Sequence, residues 1–226
     1  MTNREFRKAL AILWRDISRL NERDIFKDAP TARRHARGDD ALAQPGYVGR
    51  GYRPGGVVFI GANPGGAKLK NVVTDGQQNR FLRALKRAGS EAESIDAFEA
   101  LTAHLATAMR GWRLPQVAVN PVIAGTKIGF EDIAFINIVK WRTNAEKVPT
   151  SALHASWDFG TAQQVKLLRP SIIVALGTTV AGRYLVKVAT GAKRLFVIKR
   201  MRGDRSLPPE GLREARRAQR FLACTF

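Results

Sequence analysis

The sequence predicts an α/β protein: a single three-layer α/β/α domain over residues 1–226, built around a mostly parallel four-stranded sheet. Three observations carry that expectation. Short continuous apolar runs bounded by turn residues, such as Val57-Val58-Phe59-Ile60 and Ile172-Ile173-Val174-Ala175-Leu176, read as buried strands of parallel type. Stretches of helical periodicity alternate with those runs, which gives repeated strand–helix units. The 226 residues, 45% hydrophobic and 25% charged, suffice for one substantial core. No internal repeat and no interdomain linker stand out.

In chain order, residues 3–20 place Phe6, Leu10, Leu13, Trp14, Ile17 and Leu20 on one helical face and Arg4, Arg7, Lys8, Arg15 and Arg19 on the other. Residues 21–56 lack periodicity and are rich in Gly, Pro, Asp and Arg, so they read as a long functional or disordered loop. Its Arg33–Arg37 cluster either touches phosphates or is a solvated face. With the first helix this forms an N-terminal part, 1–56, before a core at 57–198. Strand 57–60 runs into the turn Gly61-Ala62-Asn63-Pro64-Gly65-Gly66. A polar segment to Gly76 precedes a helix at 78–88, with Phe81, Leu82 and Leu85 inward and Gly89 as its stop. Ile95, Phe98, Leu101, Leu105 and Met109 mark a second helix at 94–109. Residues 110–130 read as irregular. A strand at 133–139, a helix at 151–168 ended by Arg169-Pro170, a strand at 172–176 and a helix from Gly177-Thr178-Thr179 to about Val188 follow. A fourth strand, 195–198, leads into a basic C-terminal loop and a helix reaching about Phe221, within 199–226.

Charge and cysteine content narrow the function classes. Lys and Arg number 38 against 19 Asp and Glu, a formal charge of +19 and a pI near 11.1. A basic balance this strong on a folded chain points to nucleic acid, the other reading being an adhesive or solubilising surface. The single cysteine, Cys224, excludes an intramolecular disulfide and any cysteine-built zinc or iron–sulfur site within one chain. Apolar runs fall short of the ~20 residues that span a bilayer. The N-terminus enters its amphipathic pattern without a signal-peptide core. The expectation is a cytoplasmic, nucleoid-associated protein with no membrane partner.

The turn after the first core strand invites a phosphate-loop reading, and its residues refuse it. Gly61 and Gly66 have Walker A separation, but Ala67 precedes Lys68 and Leu69 stands where a magnesium-ligating hydroxyl belongs. A dinucleotide fingerprint needs glycine at position 63, which is Asn. Asn63 followed by the stiff Pro64 suits another task. A fixed carboxamide orients a water without deprotonating it. That fits a reaction whose leaving group departs early and leaves a cation-like carbon, as in N-glycosidic hydrolysis. Asn137, inside the apolar strand Phe135-Ile136-Asn137-Ile138-Val139, is costly unless paired. Either it is a structural Asn bonded to a neighbouring loop, or its amide meets the Watson–Crick edge of a base. Uracil offers a donor at N3 and an acceptor at O4, and cytosine the reverse, so such an amide discriminates between them.

Gly61-Ala62-Asn63-Pro64-Gly65 resembles the G-x-N-P-G water-positioning motif of the uracil-DNA glycosylase superfamily. Phe135-Ile136-Asn137-Ile138-Val139-Lys140-Trp141-Arg142 and Leu168-Arg169-Pro170-Ser171-Ile172-Ile173-Val174-Ala175-Leu176-Gly177 are similar to segments of its iron–sulfur branch. The match keeps order and spacing over about residues 57–190. The resemblance implies that Asn63 orients the attacking water, that Asn137 reads a flipped base, and that amides near Gly61, Ala62 and Gly65 stabilise the departing anion. It implies uracil-containing DNA as partner, a monomer, and hydrolysis without metal or cofactor. Two departures stand out. None of His35, His104 and His154 falls in the loop after the fourth strand, where relatives carry a His-Pro motif. Arg200 or Arg202 is then the candidate for stabilising the anion, the other reading being a grip on phosphates. The cysteines of the iron–sulfur branch are also missing. DNA contacts are expected at Lys199, Arg205 and Arg142. Met201 or Leu207 is either a wedge or ordinary loop packing, and Phe81 either stacks on the base or is helix core. The competing classes are a glycosylase for hypoxanthine or xanthine, a non-catalytic basic nucleic-acid-binding module on the same fold, and a nucleotide-handling α/β enzyme.

Overall fold

A computed structural model of the chain describes residues 1–30, 42–64, 69–143, 148–188, 190–200 and 206–226, with backbone alone at 69–75. The fold is α/β, helices alternating with the strands of a mostly parallel sheet. The chain divides into two compact units, each drawn from three stretches: residues 1–46, 62–104 and 137–167 in one, and 47–61, 105–136 and 168–226 in the other. No helix among the described residues is long and apolar enough to cross a membrane.

The second unit holds the sheet, except for the last residue of one strand. Strands β1 (Tyr47–Val48), β2 (Val57–Gly61), β3 (Ile133–Asn137), β4 (Ile172–Leu176) and β5 (Arg194–Ile198) lie in the order β1-β3-β2-β4-β5. β2 pairs in parallel with β4 from Val57↔Ile172 to Ile60↔Ala175, and β4 in parallel with β5 from Ile172↔Arg194 to Leu176↔Ile198. β2, β3 and β4 are buried at every position, which is why they read as unbroken apolar runs rather than alternations. β5, at the edge, is half exposed. Among the described residues the sheet has five strands, not the expected four. The addition is β1, which pairs antiparallel with β3 through Tyr47↔Phe135 and Val48↔Ala134 inside the stretch read as a loop. Two residues carry no alternation to detect, and that strand exists only by its register on β3.

Around this sheet, Tyr52 is buried and donates its hydroxyl to the Leu168 carbonyl at 3.1 Å. Burial pushes its phenol pKa up. Arg169 adopts a left-handed φ of 45°, and its carbonyl accepts from the Gly55 amide at 2.9 Å. A π-helical turn (Pro115–Val119) and α5 (Asn120–Ile123) occupy part of the region expected to be irregular. Another π-helical turn (Thr178–Gly182) precedes α8 (Arg183–Lys187), and α9 (Pro209–Thr225) closes the chain.

The first unit is helical. α1 (Asn3–Ser18) starts at a capping box: Thr2 Oγ1 accepts from the Glu5 amide at 3.2 Å, and the Glu5 carboxylate accepts from the Thr2 amide at 2.6 Å. Its apolar face buries Phe6, Leu10, Trp14 and Ile17. Trp14 packs edge-on to Phe98, with ring centroids 5.9 Å apart, and its indole donates to the Gly46 carbonyl at 2.9 Å. The basic face of α1 is largely satisfied within the unit. Arg7 pairs with Glu99 at 2.7 Å and Lys8 with Glu91 at 2.6 Å. Arg19 caps the end of α3 (Leu69–Arg87) through the Lys86 and Ala88 carbonyls. α2 (Glu22–Ile25) is a single turn.

α3 (Leu69–Arg87) begins well before the expected position 78. The Thr74-Asp75-Gly76 sequence interrupts the apolar period and hides its first two turns. α4 (Glu91–Gly111) also starts early, because Ser90 Oγ accepts from the Glu93 amide while the Glu93 carboxylate accepts from the Gly89 and Ser90 amides. The single helix expected at 151–168 is three pieces: α6 (Thr150–Ser156), a π-helical turn (Trp157–Thr161) and α7 (Ala162–Leu168).

Candidate functional site

β2 is the middle strand, and the chain steps from it to β3 on one side and later to β4 on the other. In open α/β sheets the carboxyl end of a strand at such a reversal is where ligands sit. Gly61 is the buried last residue of β2. The Ala62-Asn63-Pro64 turn that follows is fastened to the segment after β3 at three consecutive residues. The Ala62 carbonyl accepts from the Val139 amide at 2.8 Å. The Asn63 Nδ2 donates to Thr143 Oγ1 at 2.9 Å. The Pro64 carbonyl accepts from the Arg142 guanidinium. Arg142, expected to grip DNA, therefore also holds the turn. Thr143 is fully buried, so its hydroxyl fixes the plane of the Asn63 carboxamide from below the surface.

Asn137 ends β3. It is 9% exposed, and its carboxamide has no hydrogen-bond partner among the described residues. Its backbone carbonyl, by contrast, is well held: Lys140 Nζ donates to it, and Thr161 Oγ1 lies at 3.5 Å. The next carbonyl, of Ile138, accepts from Ser156 Oγ at 2.7 Å and Thr161 Oγ1 at 2.9 Å. The π-helical turn lies between those two hydroxyls in sequence, a placement in keeping with the tendency of such turns to accompany functional sites. Among the described residues, no neighbouring loop supplies a partner for the Asn137 carboxamide. A buried carboxamide without partners is worth about 1–3 kcal/mol of destabilisation, in a strand whose backbone is otherwise carefully satisfied.

Lys140 is fully buried and has no carboxylate partner among the described residues. Its Nζ donates to the Asn137 carbonyl and, at 2.5 Å, to Gln164 Oε1. Gln164 in turn donates to the Pro45 carbonyl at 2.7 Å. Two acceptors match the two N–H groups of a neutral amine; an ammonium would carry a third N–H. Burial holds the lysine well below its usual pKa. Lys140, Thr143 and Gln164 were not singled out from the sequence as site residues. A lysine between Val139 and Trp141, both buried, was the available signal for the first.

The other expected residues are placed differently. Phe81 is half-buried rather than core. Its ring stacks on His104 with centroids 4.7 Å apart, and the Arg80 guanidinium lies 4.6 Å from its centroid. Burial first, and then Arg80, lower the His104 pKa, which favours its neutral form. In the second unit, Lys199 pairs with Glu210 at 2.7 Å, and Arg200 is exposed as a residue while partial burial of its guanidinium lowers its pKa. Leu207 is only 9% exposed. With Arg113, Val117, Pro121 and Leu212 it lines a groove of about 650 Å³, the environment of a packed residue rather than a projecting wedge. Gly65, Met201, Arg202, Arg205 and the Arg33–Arg37 cluster lie outside the described residues.

The arrangement that emerges within the first unit is two carboxamides and no carboxylate in the segments 62–64 and 137–143. Such a set offers oriented hydrogen bonds but no general base. None of the protein-family models compared with the sequence matches it, and no curated protein matches it either.

Proposed function

We propose that the protein removes uracil from DNA by hydrolysing its N-glycosidic bond and leaves an abasic site. The observation that carries this reading is the buried, unpartnered carboxamide of Asn137, one strand over from a second carboxamide, Asn63, clamped by Thr143. An amide is complementary to the imide edge of uracil, its carbonyl accepting from N3–H and its NH2 donating to O4. Delivering the base to that amide means flipping the nucleotide out of the stack. The C1′–N1 bond breaks first and its electron pair stays on the uracil ring. The water ordered near Asn63 then forms the new C1′–O bond and gives up its proton, which balances the uracil anion. An oxocarbenium-like carbon needs a placed nucleophile rather than an activated one, so the lack of a carboxylate in these segments fits the reaction. The high positive charge of the chain fits a polyanionic substrate.

The test is incubation with a uracil-containing oligonucleotide followed by alkali, which cleaves at abasic sites. Cleavage at uracil and not at thymine or cytosine is expected. Binding without cleavage on uracil, hypoxanthine and xanthine substrates alike would refute the enzyme in favour of a non-catalytic module. Asn63→Ala should slow excision by at least ~10²-fold, about 2.7 kcal/mol; an unchanged rate would remove Asn63 from the chemistry.

A further inference from the structure

The chain carries two strongly basic helical faces, and they are treated in opposite ways. On α1 most of the cations are spent inside the first unit, Arg7 on Glu99, Lys8 on Glu91 and Arg19 on the carbonyls that end α3. On α9 they are not. Arg213, Arg216, Arg217 and Arg220 are exposed and share one stripe, at i, i+3, i+4 and i+7. Glu214 takes up Arg217 at 3.1 Å, and Glu210 is held by Lys199. Arg213 acts on Glu210 only through its charge, as the weakest of the cations that lower the carboxylate's pKa, and Arg213, Arg216 and Arg220 form no ion pair within 4.0 Å among the described residues. The stripe places like charges at four i,i+3 or i,i+4 spacings, and each such pair works against the helix. Nor does the helix dipole compensate, because the last turn of α9 carries no basic residue.

The opposite face of α9 is built for rigid seating. Gly211, Ala215, Ala218 and Leu222 are buried. At Gly211 a Cβ would lie 2.0 Å from the Lys199 carbonyl oxygen, so the helix lies directly on that backbone. The Gln219 amide donates to the Ala124 carbonyl, and Phe221 packs on Phe196 with centroids 5.9 Å apart. The buried side of α9 is thus seated on the protein, and the cations stand on its outer face.

We propose that the outer face of α9 is a rail for the phosphate backbone of double-stranded DNA. The stripe from Arg213 to Arg220 is ~10 Å long at ~1.5 Å per residue. A duplex carries a phosphate every ~3.4 Å of axis on each strand, and the long side chains of Arg213, Arg216 and Arg220 can each reach one from this row. A straight, fixed row of cations matches a stiff, regular row of anions. A flexible single strand is held instead by a groove with interleaved aromatic rings, and no aromatic residue stands between Arg213 and Arg220. The rail stands apart from the base chemistry, since it reads no base.

The experiment measures affinity for a uracil-free DNA duplex across a salt series. It compares the wild type with the triple variant Arg213→Gln, Arg216→Gln, Arg220→Gln. A control triple, Lys127→Gln, Lys166→Gln, Lys187→Gln, removes the same charge from other exposed positions. The rail variant should show a slope of log K against log salt shallower by about 3, near 0.9 per lost phosphate contact, while the control keeps the wild-type slope. Its melting temperature should be no lower than wild type, because the repulsive pairs are gone. Four results would overturn the proposal: an unchanged slope, an equal fall in the control, an equal fall on a single-stranded oligonucleotide, or a variant that melts well below wild type. Uracil excision at saturating DNA should be unaffected, so failure of the rail and failure of the glycosylase reading are separately visible.

Discussion

Replacing Lys140 with methionine tests whether this protein folds around a neutral lysine. Methionine keeps an unbranched chain of similar length and removes the amine. In the unfolded chain the lysine titrates near 10.5, and in the fold it holds its proton far less tightly. Between those two values the unfolded state binds more protons, so this group makes the wild type more stable as pH rises toward 10.5. Below the folded value both states are charged and the full burial penalty is felt. The contribution to the slope is at most ~1.4 kcal/mol per pH unit. The variant lacks that slope, and it also leaves Gln164 Oε1 without its donor, at about 1–3 kcal/mol. Urea unfolding of both proteins at a series of mildly alkaline pH values gives the difference in stability, from which every shared titrating group cancels. The expected difference grows in favour of the wild type with rising pH. A difference constant in pH would mean that the amine stays charged in the fold, and would refute the reasoning from two acceptors and two N–H groups.

Three further outcomes follow from the same geometry. Asn137→Leu should raise stability by about 1–2 kcal/mol in urea unfolding, since it removes an unpaired buried amide at similar volume, while uracil excision is lost; a destabilised variant would show that the amide is satisfied after all. Thr143→Val should cost about 1 kcal/mol of stability and slow excision by roughly tenfold at saturating DNA, because Asn63 loses its anchor; a normal rate would detach Thr143 from the site. Gly211→Ala should lower stability by about 1–3 kcal/mol, read by thermal melting, because the added methyl meets the Lys199 carbonyl.

The strands were legible because burial on both faces leaves nothing but apolar side chains, and Val57–Ile60 and Ile172–Leu176 need no partner to be recognised. β1 was illegible for the converse reason: its two residues are a strand only by virtue of Phe135 and Ala134. Ser90 and Glu93 did announce the start of α4 in a form that can be read, the S-x-x-E capping box. At the site, Asn63 and Asn137 could be picked out because polar residues at strand ends conflict with their neighbours. Thr143 could not, because a threonine after Arg142 looks like any loop residue until the turn at 62–64 closes on it. Lys140 was hidden by its own type, since a lysine is read as surface and this one is wholly enclosed.

The three hydrogen bonds that fasten the turn to the segment after β3 join positions far apart in sequence: 80 residues for Asn63 and Thr143, and 78 for Pro64 and Arg142. Closing a loop of that length costs about 4 kcal/mol from the logarithmic term alone. Three such bonds, at ~1 kcal/mol net each, do not recover it. The sheet must bring the two segments together first, and the clamp then sets their geometry. The clamp thus depends on the sheet, and a chain ending short of Thr143 lacks the hydroxyl that holds Asn63. Until both segments are in place, neither carboxamide is held where the proposed function needs it.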